Sequence, residues 1–233
     1  MSPIQINPDI DYRRLGQLSD EFTNLWKRLQ SLYLDAAAGF AFVRDHVETD
    51  QEQSRSYFKG TEMDSEEFLD KLSFSYTEIF SDNFCTSAIH KATQGEVKSR
   101  NAPDGANFTT LAQICLVYFY AYWNDYLRRQ YVIAKGKLNA NETRYKVVKA
   151  ALREHASHDL WGDIGYLRNS IVHNRGIATS AVTKCKLIRW FKPNDPIALT
   201  PQHMRALFLA LLGYRNELFK EQFPKHYIQI PSR

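Results

Sequence analysis

The sequence predicts a mostly α-helical protein, on the basis of three observations. Apolar residues make up 44% of the 233 residues, and they recur mainly at steps of three and four, the spacing of one helix face. Capping residues stand at the starts of these periodic segments. Turn-rich sequence is concentrated in residues 184–199, where we expect a small β-hairpin. The expected architecture is therefore a single domain, a helical bundle with a minor β appendage.

The N-terminal part is predicted to contain one long helix and the start of a second. Apolar residues recur over 15–47, after the capping pair Asn7-Pro8, and predict a first helix of about 40 residues. The polar segment 48–64 is expected to be a loop, and Ser65 is expected to begin the second helix. The apolar face of the second helix would consist of Phe68, Leu72, Tyr76, Ile79 and Phe80. Residues 91–107 have few large apolar groups and contain Pro and Gly, so we expect a linker or loop there.

Four further helices are predicted in the rest of the chain. They are expected to begin at Asn107, at Asn141, at Ser157 or Asp159, and at Thr200. The first of these four has an aromatic stripe over 111–126, which at helical spacing is typical of core packing. Gly176 is expected to end the fifth helix as a C-terminal cap, and Pro201 to occupy the first position of the last helix.

Composition limits the class of protein. The three cysteines lack the paired spacing of a zinc ribbon and the density of a secreted disulfide scaffold. The longest apolar run, Ile114–Trp123, is shorter than the ~18–20 residues that a bilayer requires, and the N-terminus does not resemble a signal peptide. His155 and His158 are spaced like metal ligands, but no second ligand cluster accompanies them. We therefore expect a cytoplasmic protein with no membrane contact, metal or cofactor.

Charge is unevenly distributed along the chain. The formal net charge is +4, but residues 1–82 carry 16 acidic and 8 basic residues, whereas the remainder carries 10 and 22. Within the basic part, residues 128–153 hold eight cations and the single anion Glu142. Such a stripe is typical of a surface that binds a phosphate backbone. A solvated helix face, or a patch that docks on the acidic N-terminal third, is the alternative interpretation.

The segment 163–176 carries residues suited to proton transfer and phosphate binding. It places Arg168, Asn169 and His173 on the last turns of the predicted fifth helix. At about 100° per residue, Asn169 is expected to touch His173, whereas Arg168 must reach around the helix or serve a neighbouring surface. Histidine exchanges protons near neutral pH, and arginine binds phosphate oxygens with its planar fork. The alternative is a histidine that caps the helix beside an arginine that forms a surface ion pair.

The Arg-Asn-x-x-x-His spacing followed by Asn-x-Gly resembles the motif of the HEPN superfamily, helical proteins that include RNA-cleaving toxins and defence proteins. Bacterial members of this group are also similar in three segments: residues 161–176, residues 190–200, and the aromatic helix ending Trp123-Asn-Asp-Tyr-Leu-Arg128. The resemblance covers residues 108–222. Residues 1–107 are interpreted as a helical extension of the same single domain.

A second arginine–histidine pair has the same spacing but does not fit the motif. Arg153 and His158 are also five residues apart, but Glu154 follows the arginine where the family has Asn, Asp or His. In a subset of HEPN toxins, a tyrosine two residues beyond the histidine is modified by a partner nucleotidyltransferase. Here that position is Arg175, which could contact phosphate instead.

The resemblance implies a metal-independent endoribonuclease in which two chains form a homodimer with one shared groove. Arg168, Asn169 and His173 would be the catalytic set, and 2′,3′-cyclic phosphate ends the product. The expected RNA contacts are Arg128, Arg129, Lys146, Lys149 and Arg175. A toxin or antiphage role is expected, together with an antitoxin or defence-system partner. The alternatives are an RNA- or nucleotide-binding HEPN module that does not cleave, and a helical scaffold subunit of a larger complex.

Overall fold

A computed structural model describes residues 9–74 and 92–220. The described chain is mostly helical, and the one sheet found there has two short antiparallel strands, so the predicted all-α class is confirmed. The helices are α1 (Tyr12–Phe58), α2 (Glu66–Asp70), α3 (Gln94–Arg100), α4 (Ala106–Tyr122), α5 (Arg128–Ala134), α6 (Tyr145–His155), α7 (Asp159–His173) and α8 (Pro201–Leu218). The strands are β1 (Ser73–Phe74) and β2 (Ala92–Thr93), with Ser73 opposite Thr93. In the described ranges, no helix is both long and apolar enough to cross a membrane.

The chain forms two compact units, and α1 and α4 contribute residues to both. Unit 1 consists of Met1–Gln30, Gln113–Ile197 and His203–Arg233. Unit 2 consists of Ser31–Ala112 and Ala198–Gln202.

Helix α1 extends 11 residues beyond Val47, so the prediction of a loop over 48–64 is wrong for residues 48–58. An ion pair one helical turn apart stabilises the start of this polar part, where Arg44 Nε lies 2.8 Å from Glu48 Oε1. At the same spacing, His46 Nε2 lies 3.5 Å from Asp50 Oδ2. Polar composition alone indicates a loop over residues 48–58, but the charges of Arg44 and Glu48 are complementary at helical spacing. The predicted cap Asn7-Pro8 lies outside the described residues.

In unit 2, the predicted second helix is short. Ser65 caps it as expected, since its Oγ accepts a hydrogen bond from the Phe68 amide at 3.3 Å. The helix ends at Asp70 because the chain then enters β1, and the Leu72 carbonyl accepts from the Gln94 amide instead of continuing the helix. The prediction that Leu72 belongs to the second helix is therefore wrong. Tyr76, Ile79 and Phe80 lie outside the described residues.

The expected linker over 91–107 is also largely wrong, because β2 and α3 lie within it. Thr93 and Glu96 form a capping box at the start of α3, in which each side chain accepts from the other residue's amide. Val97 of α3 is fully buried in a small apolar cluster with Val47 and Phe74. A Thr-x-x-Glu pattern in the sequence signals this helix start despite the scarcity of apolar residues.

The core of unit 1 is built around an aromatic cluster. The rings of Trp123 and Trp161 stack with centroids 4.8 Å apart, and Tyr214 packs edge-on against both. The Trp26 indole donates to the Phe208 carbonyl at 2.9 Å. The aromatic stripe of α4 is thus core packing in part, as predicted, but Tyr118 on the same helix is 48% exposed.

The predicted third helix runs on without a break beyond Tyr126. Residues Trp123–Leu127 form a π-helical turn between α4 and α5, and helical structure ends at Ala134. Gly136 follows with φ of +66°, and its amide donates to the Ile133 carbonyl at 2.9 Å. A side chain at Gly136 would also collide with the Asp9 carbonyl, so this position requires glycine.

The predicted hairpin over 184–199 is not formed, and the prediction is wrong. The backbone amides of Lys186, Leu187 and Ile188 all donate to the buried carboxylate of Asp163, so no ladder partner receives them. Residues 194–197 pair instead with 176–178, through the bonds Asn194 N to Ala178 O, Ala178 N to Asp195 O and Ile197 N to Gly176 O. The turn-rich segment therefore returns to the end of α7.

Candidate active site

Helix α7 carries the predicted catalytic residues and is anchored at both ends. His158 caps its N-terminus, where Nδ1 accepts from the Leu160 amide at 3.1 Å. One face is buried in unit 1 through Leu160, Ile164 and Leu167. The opposite face is exposed and ends in His173. The apolar spacing that predicted this helix therefore fixes which side of it solvent reaches.

The structure brings Arg168, Asn169 and His173 together in one hydrogen-bonded group. The Nη1 atom of Arg168 lies 2.9 Å from Nε2 of His173 and 3.1 Å from Oδ1 of Asn169. Since a guanidinium only donates, Nε2 of His173 must accept and carries no proton in this arrangement. The imidazole is then neutral, with its proton on Nδ1.

Asn169 makes a different contact from the one predicted. Helical spacing predicts that it touches His173, but the described contact of its side chain is the carbonyl oxygen that accepts from Arg168. Arg168 reaches around the helix to His173, which was one of the two predicted arrangements. Asn169 and His173 are exposed and Arg168 is half-buried, so solvent and ligands reach all three side chains.

A sharp turn after α7 directs the chain away from the group. Arg175 has φ of 55° and Gly176 has φ of 77°, so two successive residues lie in the left-handed region. The Gly176 amide donates to the Ser170 carbonyl at 3.1 Å, and the fully buried Ser170 hydroxyl accepts from the Thr179 amide at 3.1 Å. The C-terminal cap of α7 is Asn174, and the predicted cap Gly176 lies two residues further on, within the turn. The exposed Arg175 side chain follows the group formed by Arg168, Asn169 and His173.

Two of the five predicted RNA contacts have structural contacts that the sequence did not indicate. Arg128 is half-buried and caps the C-terminus of α6, donating through Nε to the Ala156 carbonyl at 2.9 Å and through Nη2 to the Leu152 carbonyl at 3.0 Å. Burial lowers the pKa of Arg128 from its usual value. Arg129 donates to the Glu142 carbonyl at 2.9 Å and so braces the loop before α6.

The other predicted contacts are exposed. Lys146 and Lys149 lie one turn apart on α6, a helix in which no residue is buried. The Lys149 ammonium lies 5.5 Å from the centroid of the Tyr145 ring, within the range of a cation–π contact. Arg175 follows α7, on a different segment from these lysines. RNA binding by all five residues stays a prediction.

Sequence reasoning missed the buried carboxylate that organises this region. Asp163 is 2% exposed and accepts from the amides of Lys186 at 3.0 Å, Leu187 at 2.6 Å and Ile188 at 2.8 Å. Its charge is satisfied by these donors, as buried carboxylates require. The available signal was its position between the apolar residues Leu160 and Ile164, on the side of α7 that faces the core.

Comparison of the chain with models of protein families, with curated proteins and with solved structures gave no match. The similarity to the HEPN superfamily therefore rests on the motif residues in the sequence and stays a prediction.

Proposed function

We propose that this chain is a metal-independent endoribonuclease that acts in the cytoplasm through Arg168, Asn169 and His173. The observation that supports the proposal best is the 2.9 Å contact between Nη1 of Arg168 and Nε2 of His173 at an exposed helix end. It places a permanent cation with planar donors beside an imidazole nitrogen, Nε2, that is able to accept a proton. These are the two groups needed to bind a phosphodiester and to accept a proton from a ribose hydroxyl.

The proposed reaction uses the substrate's own 2′-hydroxyl. Its oxygen attacks the adjacent phosphorus while a histidine accepts its proton, and the bond from phosphorus to the 5′-oxygen breaks. A second acid protonates the leaving 5′-oxygen, which yields a 2′,3′-cyclic phosphate and a 5′-hydroxyl. In this scheme the phosphate draws the Arg168 donors away from His173, and the guanidinium stabilises the charge that develops on the phosphorane oxygens.

The proposed reaction needs one group that accepts a proton and a second that donates one, but the site of one chain contains a single histidine, His173. The proposal therefore includes a homodimer in which the two α7 ends face each other. Exposed apolar side chains support it: Val172 is 47% and Ile177 is 37% exposed at the end of α7, and Ile114 is 57% exposed on α4. Gln113, the neighbour of Ile114, lies against Gly176, which places this part of α4 beside the end of α7. The interface should bury at least ~1,000 Å².

The dimer is tested by changing one exposed apolar residue on each of two surfaces. Val172→Asp should give a light-scattering mass near that of one chain and should lose cleavage. Leu209→Asp, on α8 and 59% exposed, is the matched control and should keep both. A wild-type protein with the mass of one chain at micromolar concentration would refute the composite site.

Non-catalytic binding of RNA or nucleotides is the second candidate function, and one observation favours it. Arg168 donates to both Asn169 and His173, so the three side chains satisfy one another's hydrogen bonds within the group. A site of this kind binds phosphate when the ligand replaces those contacts, whether or not a bond is broken. The third candidate, a scaffold subunit, has no use for an exposed arginine–histidine pair.

The biological role is proposed on the sequence resemblance alone. A toxin or antiphage effector of this type cleaves RNA in the cell that carries it, and it requires an antitoxin or defence-system partner that restrains it. Co-purification of the neighbouring gene product with this chain, together with loss of growth inhibition on co-expression, is the expected result.

The enzymatic proposal is tested by incubating single-stranded RNA with the protein in EDTA. We expect cleavage to persist and the ends to be 2′,3′-cyclic phosphate and 5′-hydroxyl, while an all-2′-deoxy strand of the same sequence stays intact because it lacks the attacking oxygen. Cleavage of the deoxy strand, or loss of RNA cleavage on chelation, would contradict the mechanism. RNA binding without any cleavage would favour the second candidate.

A further inference from the structure

Unit 1 contains a cavity that is separate from the group formed by Arg168, Asn169 and His173 at the end of α7. Its volume is about 570 Å³, within the ~300–1,000 Å³ of small-ligand pockets. It lies between the N-terminal half of α7, the π-helical turn at the end of α4, the end of α6 and the segment that Asp163 holds. Residues Tyr120 and Tyr166, both half-buried, add aromatic surface to its wall.

The cavity wall has an excess of positive charge. Four cations line it, Arg128, Arg153, Lys184 and Lys186, against two carboxylates, Asp159 and Asp163. Both carboxylates are already engaged: Asp159 accepts from Lys186 Nζ at 2.8 Å, and Asp163 accepts the backbone amides of 186–188. A ligand that enters the cavity therefore meets cations whose charge the wall does not neutralise.

Arg153 and Lys184 are the two cations of the wall that are most available to a ligand. Both are exposed, and their side chains form no ion pair with the described residues. The buried Asp163 fixes the backbone two residues beyond Lys184, so this lysine projects from a rigid segment. Cations held beside aromatic rings bind nucleotides, because the cations pair with phosphate and the rings stack on bases.

The cavity and the catalytic group share one exposed helix face. Gly162 and Tyr166 line the cavity, and Asn169 and His173 continue the same face at helical spacing. From Tyr166 to His173 is seven residues, or ~10 Å along the axis. At ~3.4 Å or more per nucleotide of one strand, this distance corresponds to two or three nucleotides.

We propose that this cavity holds an unpaired nucleotide of the RNA strand whose scissile phosphate lies at Arg168 and His173, two or three nucleotides away. The cavity then sets the register of the strand on α7. Arg153 and Lys184 bind the phosphate of the nucleotide in the cavity. This assignment rests on the proposed function, because the strand in the cavity is the strand that reaches His173. A free nucleotide offers the same phosphate and base, so the test includes both sources.

The test measures binding of a fluorescein-labelled 2′-O-methyl hexauridylate, which cannot be cleaved because its 2′-oxygens are blocked. The double variant Arg153→Glu/Lys184→Glu should weaken its binding at least tenfold. The control Lys27→Glu/Arg28→Glu changes the same net charge at exposed positions of α1 in unit 1 and should weaken binding less than threefold. Free uridine 5′-monophosphate at 1 mM should displace little of the strand from the wild-type protein.

Two results would overturn the assignment. Equal weakening in both double variants would show that only net charge matters, and efficient displacement by the mononucleotide would show that the cavity takes a free nucleotide. The fate of the catalytic proposal is read separately, from cleavage of unmodified hexauridylate. Suppose that the wild-type protein binds the strand, that Arg153→Glu/Lys184→Glu weakens this binding, and that the wild type does not cleave unmodified hexauridylate. This result would refute the enzymatic proposal, and the assignment of the cavity would stand.

Discussion

Nη1 of Arg168 donates a hydrogen bond to Nε2 of His173, and this bond exists only while Nε2 carries no proton. This arrangement fits the proposed reaction, in which the histidine begins as a base. Once Nε2 has accepted a proton, the imidazolium and the guanidinium repel each other, and the arginine is free to stay on the phosphate. In the proposed mechanism, the same two residues thus alternate between a contact with each other and contacts with the substrate.

The proposed catalytic role of Arg168, Asn169 and His173 predicts matched losses of activity. His173→Ala and Arg168→Ala should each lower single-turnover cleavage at saturating enzyme by ~10² or more, since one removes a proton-transfer group and the other removes charge stabilisation. His155→Ala on α6 and Arg205→Ala on α8 are the controls and should leave the chemical step near normal. Asn169→Ala should cost less than tenfold, because it removes one hydrogen bond that steers Arg168. Full activity of His173→Ala would refute the site.

The pair Arg153 and His158, which shares the bare spacing, makes a poor control. His158 caps α7 through Nδ1, and its ring packs on Tyr214 with centroids 4.6 Å apart. Its replacement would therefore lower stability for reasons unrelated to catalysis.

Asp163 should be a determinant of stability. Asp163→Asn replaces one acceptor oxygen by an amide group that faces backbone donors, so we expect the free energy of unfolding to fall by about 2–4 kcal/mol. Urea denaturation measures the change. Asp125→Asn, at an exposed carboxylate of the π-helical turn, should change stability by less than ~0.5 kcal/mol. A stable Asp163→Asn protein would show that the segment 186–188 is held by other contacts.

Arg175 combines an unfavourable backbone angle with a proposed phosphate contact, and two substitutions separate these properties. Arg175→Gly should be more stable than Arg175→Ala by about 1 kcal/mol, because glycine adopts φ of 55° without a steric penalty. Both variants should weaken RNA binding to the same extent, since both lack the guanidinium. Unchanged RNA affinity in both would remove Arg175 from the binding surface.

Unit 2 should lose stability in acid through a partly buried cluster of polar side chains. Lys98 Nζ lies 2.7 Å from Asp70 Oδ1 and donates to Gln51 Oε1 at 2.9 Å, and the Lys98 hydrogen bond lowers the pKa of Asp70. Because the folded-state pKa is below the unfolded value of ~3.9, the stabilisation is present above that pH and disappears as pH falls through the lower folded value.

Urea unfolding of the wild type and of Asp70→Asn at pH 6 and pH 3 measures this effect. The difference in stability between the two proteins should be largest at pH 6 and should shrink at pH 3, below the unfolded-state pKa of ~3.9, because the unfolded wild-type chain then binds a proton at this carboxyl. Glu52→Gln, an exposed carboxylate of α1, should show no such convergence. A difference that stays constant with pH would exclude Asp70 as the group that titrates.

Local signals in the sequence predicted the starts of α2, α4, α7 and α8 to within one residue, whereas α6 begins at Tyr145, four residues after the predicted start at Asn141. Long-range contacts account for the other main errors. Ser65, Gly176 and Pro201 act through neighbouring backbone atoms, so their effects are visible in a few residues of sequence. The absent hairpin depends on Asp163, more than twenty residues away, which takes the amides a strand would need. At the site, helical spacing placed Arg168, Asn169 and His173 on one helix end but could not give the path of the long arginine side chain, which decides which residue it contacts.

The π-helical turn Trp123–Leu127 sets the register between the halves of one long helical segment. In this turn the Arg128 amide bonds to the carbonyl of Trp123, five residues back instead of four, so the turn takes up one extra residue. Because each residue advances an α-helix by about 100°, the same number of residues in ordinary α-helix would rotate everything after the turn by that amount. Conversion of the turn to ordinary α-helix at unchanged chain length would therefore rotate Arg128 away from the carbonyl of Ala156. The helical content would hardly change, but α6 would lose its cap and the cavity would lose part of its wall. The length of this turn, counted in single residues, is therefore under the same constraint as the identity of the side chains it carries.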